Sequence, residues 1–230
     1  MIEWNSERRW RRYLQLAESN PEFFTDCGAS SYEILMAIDA VARAQSDAGC
    51  KRSDEGLSAN DTRVGVLGED PFLTALRDAV RFPDGTLGLY NRLLVPAGVT
   101  MLPFLEGEIV LLDRFRHGTR SWHLEAPRGA VSGNESVEQG ARRELAEEIG
   151  ATGVALTGLG LMHPTTGCSN EVHHLFMARV ENIGAPDLHE AIRELRVLPV
   201  IEFERMAADG TITDGPTLSA FLRARLRGLV

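Results

Sequence analysis

Residues 129–151 read GAVSGNESVEQGARRELAEEIGA. Ser136 followed three positions later by Gln139 is a capping-box pattern, so the spacing predicts a helix over 136–149. Val137, Ala141, Leu145 and Ile149 recur every fourth residue and make one apolar stripe for a core. Gly140, Glu144 and Glu148 make a second stripe, with Glu147 one residue off it. Carboxylates at this spacing repel each other by roughly a few tenths of a kcal/mol per pair. A divalent cation removes that cost, and clustered oxygens are what a hard Mg²⁺ or Mn²⁺ takes. Arg143 lies about two turns from Glu135 and reaches back to it, which would pin the 129–135 loop onto the helix. Glycines at 129 and 133 let that loop turn tightly and leave backbone carbonyls to face a metal. An acidic, solvated helix face is the plain alternative for a run such as ELAEE.

The spacing removes that alternative. It fits the pattern G-x5-E-x7-R-E-U-x-E-E-x-G-U, with U a bulky aliphatic: Gly129, Glu135, Arg143, Glu144, Leu145, Glu147, Glu148 and Gly150 all match. Ala151 stands where a larger aliphatic is usual, a departure that affects packing rather than chemistry. A chance match in a chain of this size is on the order of one in a million. The chain therefore resembles the Nudix hydrolases.

The resemblance covers about residues 64–230 and is similar in detail to the ADP-ribose pyrophosphatase group. Arg114-Phe115-Arg116 stands where that group has a Q-x-R pattern, and Trp122, Glu125, Pro127 and Gly129 match its approach to the box. The later loop TTGCSNE aligns Gly167 and Glu171 with the group's S-P-G-x-x-x-E, with Thr166 in place of the proline. This resemblance implies an α/β protein, a Nudix-type mixed-sheet α/β/α sandwich over 63–230; outside it, helical spacing predicts a helical N-terminal extension over 1–62. It implies metal-dependent hydrolysis of ADP-ribose or a related nucleoside diphosphate sugar, giving AMP or another nucleoside monophosphate and a sugar phosphate. Glu144 and Glu148 would be the principal ligands of Mg²⁺ or Mn²⁺, with Glu147 a further ligand or water-positioning group and the Arg128 carbonyl completing the set. Arg116, with Arg114 beside it, would grip the diphosphate or terminal ribose, and Gly167 would line the substrate loop. The general base would be Glu190, with Glu194 the alternate, and Glu171 would order or activate the site. A homodimer paired through 71–95 is implied as well.

Two other readings remain open at this point. One is a hydrolase of another sugar nucleotide, such as GDP-mannose. The other is a non-catalytic Nudix-fold ligand sensor, which would tolerate loss of box carboxylates and would need a DNA-reading element.

Composition narrows the field independently. The 230 residues carry 24 Lys+Arg against 33 Asp+Glu, a net charge of −9, which disfavours broad contact with nucleic acid or an anionic membrane. Lys51 is the lone lysine, so lysine chemistry is nearly excluded, while arginine remains available for bidentate grips on phosphate. Cys27, Cys50 and Cys168 are odd in number and widely spaced, the usage of a reducing cytoplasm. The N-terminus, MIEWNSERRWRRYLQL, is too charged for a signal peptide, and no apolar run approaches roughly 18 residues. These point to a soluble cytoplasmic protein. His163, His173 and His174 invite a metal site, but His173 and His174 are neighbours in a strand and face opposite ways. Cys168 has no legible Cys-His arrangement and reads as a small loop residue.

Along the chain, a helix is predicted over 6–18, capped by Asn5 or Ser6, with Trp10, Tyr13, Leu14 and Ala17 on one side. A second is predicted from about Ser31 to Ala48, capped by Gly49, followed by a polar linker over 50–63. An extended segment near 71–82 and the alternating TLGLYNRLLV are joined by the turn at 83–85. Strands follow at VTMLPF, EIVLLDRF, SWHLEA, GVALTGLGLM, VHHLFMARV and LRVLPV. Helices near 201–208 and 216–227 close the chain.

Overall fold

Residues three apart on a helix share a side, and on the first helix, Ser6–Ser19 (α1), the covered side carries Tyr13 and Leu16. The structure, a computed structural model, describes residues 6–28, 30–58 and 61–230. Leu14, expected inside, is 37% exposed; Leu16 is covered instead, packed with Tyr13 against Val66 and Leu76. The expected caps, Asn5 and the Ser6 side chain, lie outside the described residues. The buried Tyr13 hydroxyl needs an acceptor and donates to Asp78 Oδ1 at 2.5 Å, while Arg92 donates to the same carboxylate. Burial, reinforced by Asp78, raises the Tyr13 pKa far above its usual range, so it stays a donor.

The second helix starts later than its periodicity suggests. Glu33–Ile34 form a short strand (β1), and the helix runs Ile38–Asp54 (α2). Gly49 lies inside it, so the helix consumes the first part of the expected linker. Residues 59 and 60 of that linker are outside the described set. Strands Gly65–Glu69 (β2), Thr74–Arg81 (β3) and Leu87–Leu94 (β4) follow, and β3 pairs antiparallel with β1, β2 and β4. The β3–β4 hairpin closes through the Phe82–Thr86 turn, as the PDG sequence predicts.

The chain divides into two compact units. One holds the described residues up to Val95 together with Thr165–Asn170; the other holds Pro96–Pro164 and Glu171–Val230. In the first unit, residues 165–170 run beside β4: the Leu93 N–H donates to Cys168 O at 2.7 Å, and the Asn170 N–H to Leu93 O at 3.2 Å.

The second unit is built on a seven-stranded sheet. Its strands are Gly98–Leu105 (β5), Glu108–Arg116 (β6), Ser121–Glu125 (β7), Arg128–Ala130 (β8), Ala155–Met162 (β9), His173–Val180 (β10) and Ile192–Leu198 (β11). Its helices are Val137–Ile149 (α3), Val200–Ala208 (α4) and Gly215–Leu226 (α5). β5 and β10 are parallel while the other pairs are antiparallel, which makes the sheet mixed, as expected. A strand buried on both faces reads as a near-continuous apolar run, and GVTMLPFL of β5 is such a run, broken only by Thr100. Val99 and Met101 face α3, packed with Val110, Leu112, Leu145 and Ile149. Leu102 and Phe104 face α4 and α5, packed with Leu111, Phe203, Met206 and Phe221. Helices on both faces give the α/β/α sandwich.

β9 forms one edge of the sheet. There the Gly158 and Leu159 carbonyls accept from Arg227 at 2.8 Å and Arg223 at 3.1 Å. No helix among the described residues is long and apolar enough to cross a membrane.

Candidate active site

The capping box forms as the sequence predicts. The Ser136 hydroxyl accepts from the Gln139 N–H at 3.2 Å, and the Gln139 side chain accepts from the Ser136 N–H at 2.7 Å. These bonds satisfy two of the donors that a helix start leaves orphaned. Ala141, Leu145 and Ile149 are fully buried, which anchors α3 by its apolar stripe. The second stripe therefore lies inward at one edge: the Glu144 side chain is 12% exposed and that of Glu148 only 2%, while Glu147 stands at 53%.

Glu144 occupies the space above Gly129, where a Cβ would fall 1.9 Å from its Oε1. Glu148 is held from two sides. Arg114 of β6 donates to its Oε1, and the Arg128 N–H donates to its Oε2 at 3.0 Å. Burial raises both carboxyls above their ordinary range. Glu148 is pushed up to about 7 by desolvation, with Arg114 and the Arg128 N–H opposing and the neighbouring Glu144 adding to the rise.

Arg143 joins the remaining pieces. It donates to Glu135, Glu144 and Glu147, each at 2.8 Å, and to the Ala130 carbonyl at 2.9 Å. Glu135 also accepts from the Ser132 N–H at 2.6 Å. With Arg143 first and this bond second, its carboxyl is held down at about 2. The contact expected between Arg143 and Glu135 thus clamps the box loop to the helix. Arg114 reaches further: the same guanidinium that holds Glu148 donates to Glu190. The segment bearing Glu190 is tied to the end of α3, where the Gly184 N–H donates to Ile149 O at 2.8 Å. Arg116 donates to the fully buried Glu125 at 3.0 Å.

The model of the NUDIX domain matches residues 95–221, more than half of the chain. The chain belongs to the Nudix family. It is 31% identical over 100 residues to an ADP-ribose pyrophosphatase of Bacillus subtilis (strain 168), across 43% of this chain and 54% of that protein. It is 28% identical over 136 residues to a GDP-mannose pyrophosphatase of Yersinia enterocolitica (serotype O:8 / biotype 1B), across 54% and 70%. It is 30% identical over 73 residues to an ADP compounds hydrolase of Escherichia coli (strain K12), across 31% and 39%. The chain thus spans about half the length of the first of these relatives. A crystal structure of an ADP compounds hydrolase superposes with a TM-score of 0.60 at 22% identity, covering 72% of this chain and 92% of that one, which is a likeness of fold.

Nudix hydrolases generally use divalent metal ions. The donors on α3 fit one in kind: they are all oxygen and rich in carboxylate, and the burial cost carried by Glu144 and Glu148 is one that a cation offsets. The cradle at Gly129, which a Cβ would fill, leaves Glu144 room to serve. As placed, the carboxylates turn to Arg114 and Arg143, and among the described residues no three acidic, His or Cys groups converge as a metal would require.

Of the residues the sequence singles out, Arg143 gathers Glu144 and Glu147 in one bonded group, Arg114 and the Arg128 N–H gather Glu148 and Glu190 in a second, and Arg116 lies beside Arg128 on Glu125. Gly167 belongs to the other unit. Glu194 is exposed within β11, opposite Asp113. Glu171 bonds instead to two histidines, at His173 Nε2 through its side chain and at His163 Nδ1 through its carbonyl, each 3.0 Å. The sequence reading names Glu125 only as part of the approach to the box, without its partners Arg116 and Arg128, and it missed Asp214 and Thr217 in the site's surroundings. Asp214 caps α5, accepts from Arg128 at 2.8 Å, and bonds Thr217, whose hydroxyl accepts from the Ala126 N–H at 2.8 Å. An Asp two residues before Pro216 at a helix start is the signal that would have found it.

Proposed function

We propose that this Nudix chain hydrolyses the diphosphate bond of ADP-ribose or a related nucleoside diphosphate sugar, releasing a nucleoside monophosphate and a sugar phosphate. The observation that carries the reading is the pair of inward carboxylates, the half-buried Glu144 over Gly129 and the buried Glu148 between Arg114 and Arg128. Glu144, Glu148, Glu147 and the Arg128 carbonyl would hold Mg²⁺ or Mn²⁺. When bound, such an ion neutralises phosphoryl oxygens and makes water a better nucleophile.

The chain's own residues divide the remaining work. Arg143 keeps Glu135, Glu144 and Glu147 in register, so it acts by positioning. Glu190 takes a proton from the attacking water, and Arg114 holds its carboxylate near α3. Arg116 and Arg114 bear the charge of the diphosphate, with Gly167 on the substrate loop and Glu171 ordering the site. Carboxylates and guanidinium groups paired in this way suit an anionic substrate, because each arginine freed from its carboxylate can turn to a phosphate. A cytoplasmic homodimer joined through 71–95, with 1–62 as a helical extension before the catalytic part, completes the reading.

GDP-mannose is the second reading, favoured by a relative of that name matched over 54% of this chain. A hydrolysis panel of ADP-ribose, GDP-mannose and dinucleotides with Mg²⁺ and with Mn²⁺, products identified by mass, separates the two. AMP and ribose 5-phosphate from ADP-ribose support the first. Turnover of GDP-mannose with none of ADP-ribose transfers the assignment to the second. No turnover of any member overturns both.

A further inference from the structure

His173 is a buried imidazole at the start of β10, 7% exposed, which the catalytic reading leaves without a task. Its surroundings are built around it. Gly98 stands opposite it across the β5–β10 pairing, and a Cβ there would meet the ring at 2.8 Å, so the site holds an imidazole only because position 98 has no side chain. One ring nitrogen, Nδ1, lies 2.7 Å from the Thr100 hydroxyl; the other, Nε2, lies 3.0 Å from Glu171 Oε1.

The chemistry of the two partners fixes the tautomer. An ionised carboxylate only accepts, so Nε2 carries the proton and donates to Glu171. Nδ1 is then a lone pair, and the Thr100 hydroxyl donates to it. Burial lowers the pKa of the imidazole, with Glu171 opposing, which keeps the ring neutral and each bond in this sense. Arg128 and Asp214 also act on the ring, with opposite signs. Glu171 is fixed a second time through its backbone, because its carbonyl accepts from His163 Nδ1 at 3.0 Å. Thr100 pairs with Arg128 across β5 and β8, and the Arg128 N–H holds Glu148, so the relay starts in the strands that carry the metal helix's partner.

We infer that Thr100–His173–Glu171 is a positioning relay, in which His173, oriented by Thr100, fixes the carboxylate of Glu171 for the task the proposed hydrolysis gives it. The inference deepens the proposed hydrolysis and rests on that reading for the task of Glu171. His173 acts through Glu171 and is therefore a positioning residue.

The test uses the full chain and two readouts. In long-range ¹⁵N NMR of the imidazoles, the His173 ring of the wild type appears as the Nε2–H tautomer, and E171A or T100V releases it. In kinetics with the panel's best substrate, E171Q, H173L and T100V each lower kcat by about tenfold with KM within about twofold, the worth of one lost hydrogen bond in the transition state. T100S and H173Q, which keep the donor and acceptor atoms, recover most of the loss. The double variant H173L/E171Q is no slower than E171Q alone, since both remove one device. If H173L fails to fold, T100V, which keeps shape and removes only the hydroxyl, carries the same comparison. An Nδ1–H ring in the wild type, full kcat in T100V and H173L, or additive losses in the double variant overturns the relay. Absence of turnover in the wild type would sink the hydrolase reading, and the tautomer then decides alone whether His173 and Glu171 are coupled.

Discussion

Gly129 and Glu144 share one volume: the carboxylate of Glu144 lies where any side chain at 129 would begin, 1.9 Å from an ideal Cβ. The leading glycine of the box is therefore a matter of space for the carboxylate. Gly129→Ala forces Glu144 away from its place or shifts β8, at a cost of about 1–3 kcal/mol in stability. Turnover is expected to fall at least about tenfold, with weakened metal affinity in a direct titration. An alanine variant with wild-type turnover and metal affinity would show that Glu144 works elsewhere.

Glu148→Gln keeps shape and removes one buried charge. Turnover at saturating Mg²⁺ is expected to drop about a hundredfold or more while circular dichroism stays native. Activity within a few-fold of wild type would remove Glu148 from the metal set.

The same residue sets a pH signature in the metal-free chain. Its carboxyl is pushed up to about 7 in the folded state, so between the ordinary carboxylate range and 7 the native state binds the extra proton. Stability from this group is full at low pH and is lost as pH rises through 7, by up to about 3 kcal/mol. Urea midpoints measured from pH 4 to 8 should fall for wild type relative to Glu148→Gln. Parallel curves would contradict the burial argument.

Glu190 separates base from ligand. Glu190→Gln is expected to lower kcat by about 10²–10⁴-fold with KM and metal affinity nearly intact. Glu144→Gln should lose metal affinity as well, and only that variant should respond to excess metal. Full kcat in Glu190→Gln, with loss in Glu194→Gln or Glu147→Gln, would move the base to that residue.

Thr217 ties α5 to the link between β7 and β8 that leads into the box. Thr217→Val strands the Ala126 N–H and takes a donor from Asp214, a cost of about 1–3 kcal/mol. Thr217→Ser should recover most of it. The urea midpoint of both variants checks this, and an unchanged midpoint in the valine variant refutes it.

What the sequence disclosed followed from distance along the chain. The capping box, the apolar stripe of α3 and the reach from Arg143 to Glu135 depend on residues within fifteen positions of one another, where helix geometry alone fixes who meets whom. The second helix was misplaced because Ile34 and Leu35 fit its stripe, yet β3, more than forty residues later, claims them by pairing. Its true start, after Ala37, has no side-chain cap to announce it. β2 was missed because Gly65 and Gly68 weaken its strand pattern. The site shows the same divide: the acidic helix was readable, while Arg114 spanning Glu148 and Glu190 joins residues 34 and 76 positions away. Only the folded sheet brings them together.

The arginines on the rim of β9 have a bearing on solubility. A bare strand edge is a template on which a foreign strand can grow, and here two backbone acceptors in mid-edge already hold guanidinium groups from the end of the chain. A newcomer would have to evict these guanidinium groups to gain the same bonds. The last helix therefore serves as a guard against fibrous self-association. A chain cut short before Arg223 would lose that guard even where its core still folds.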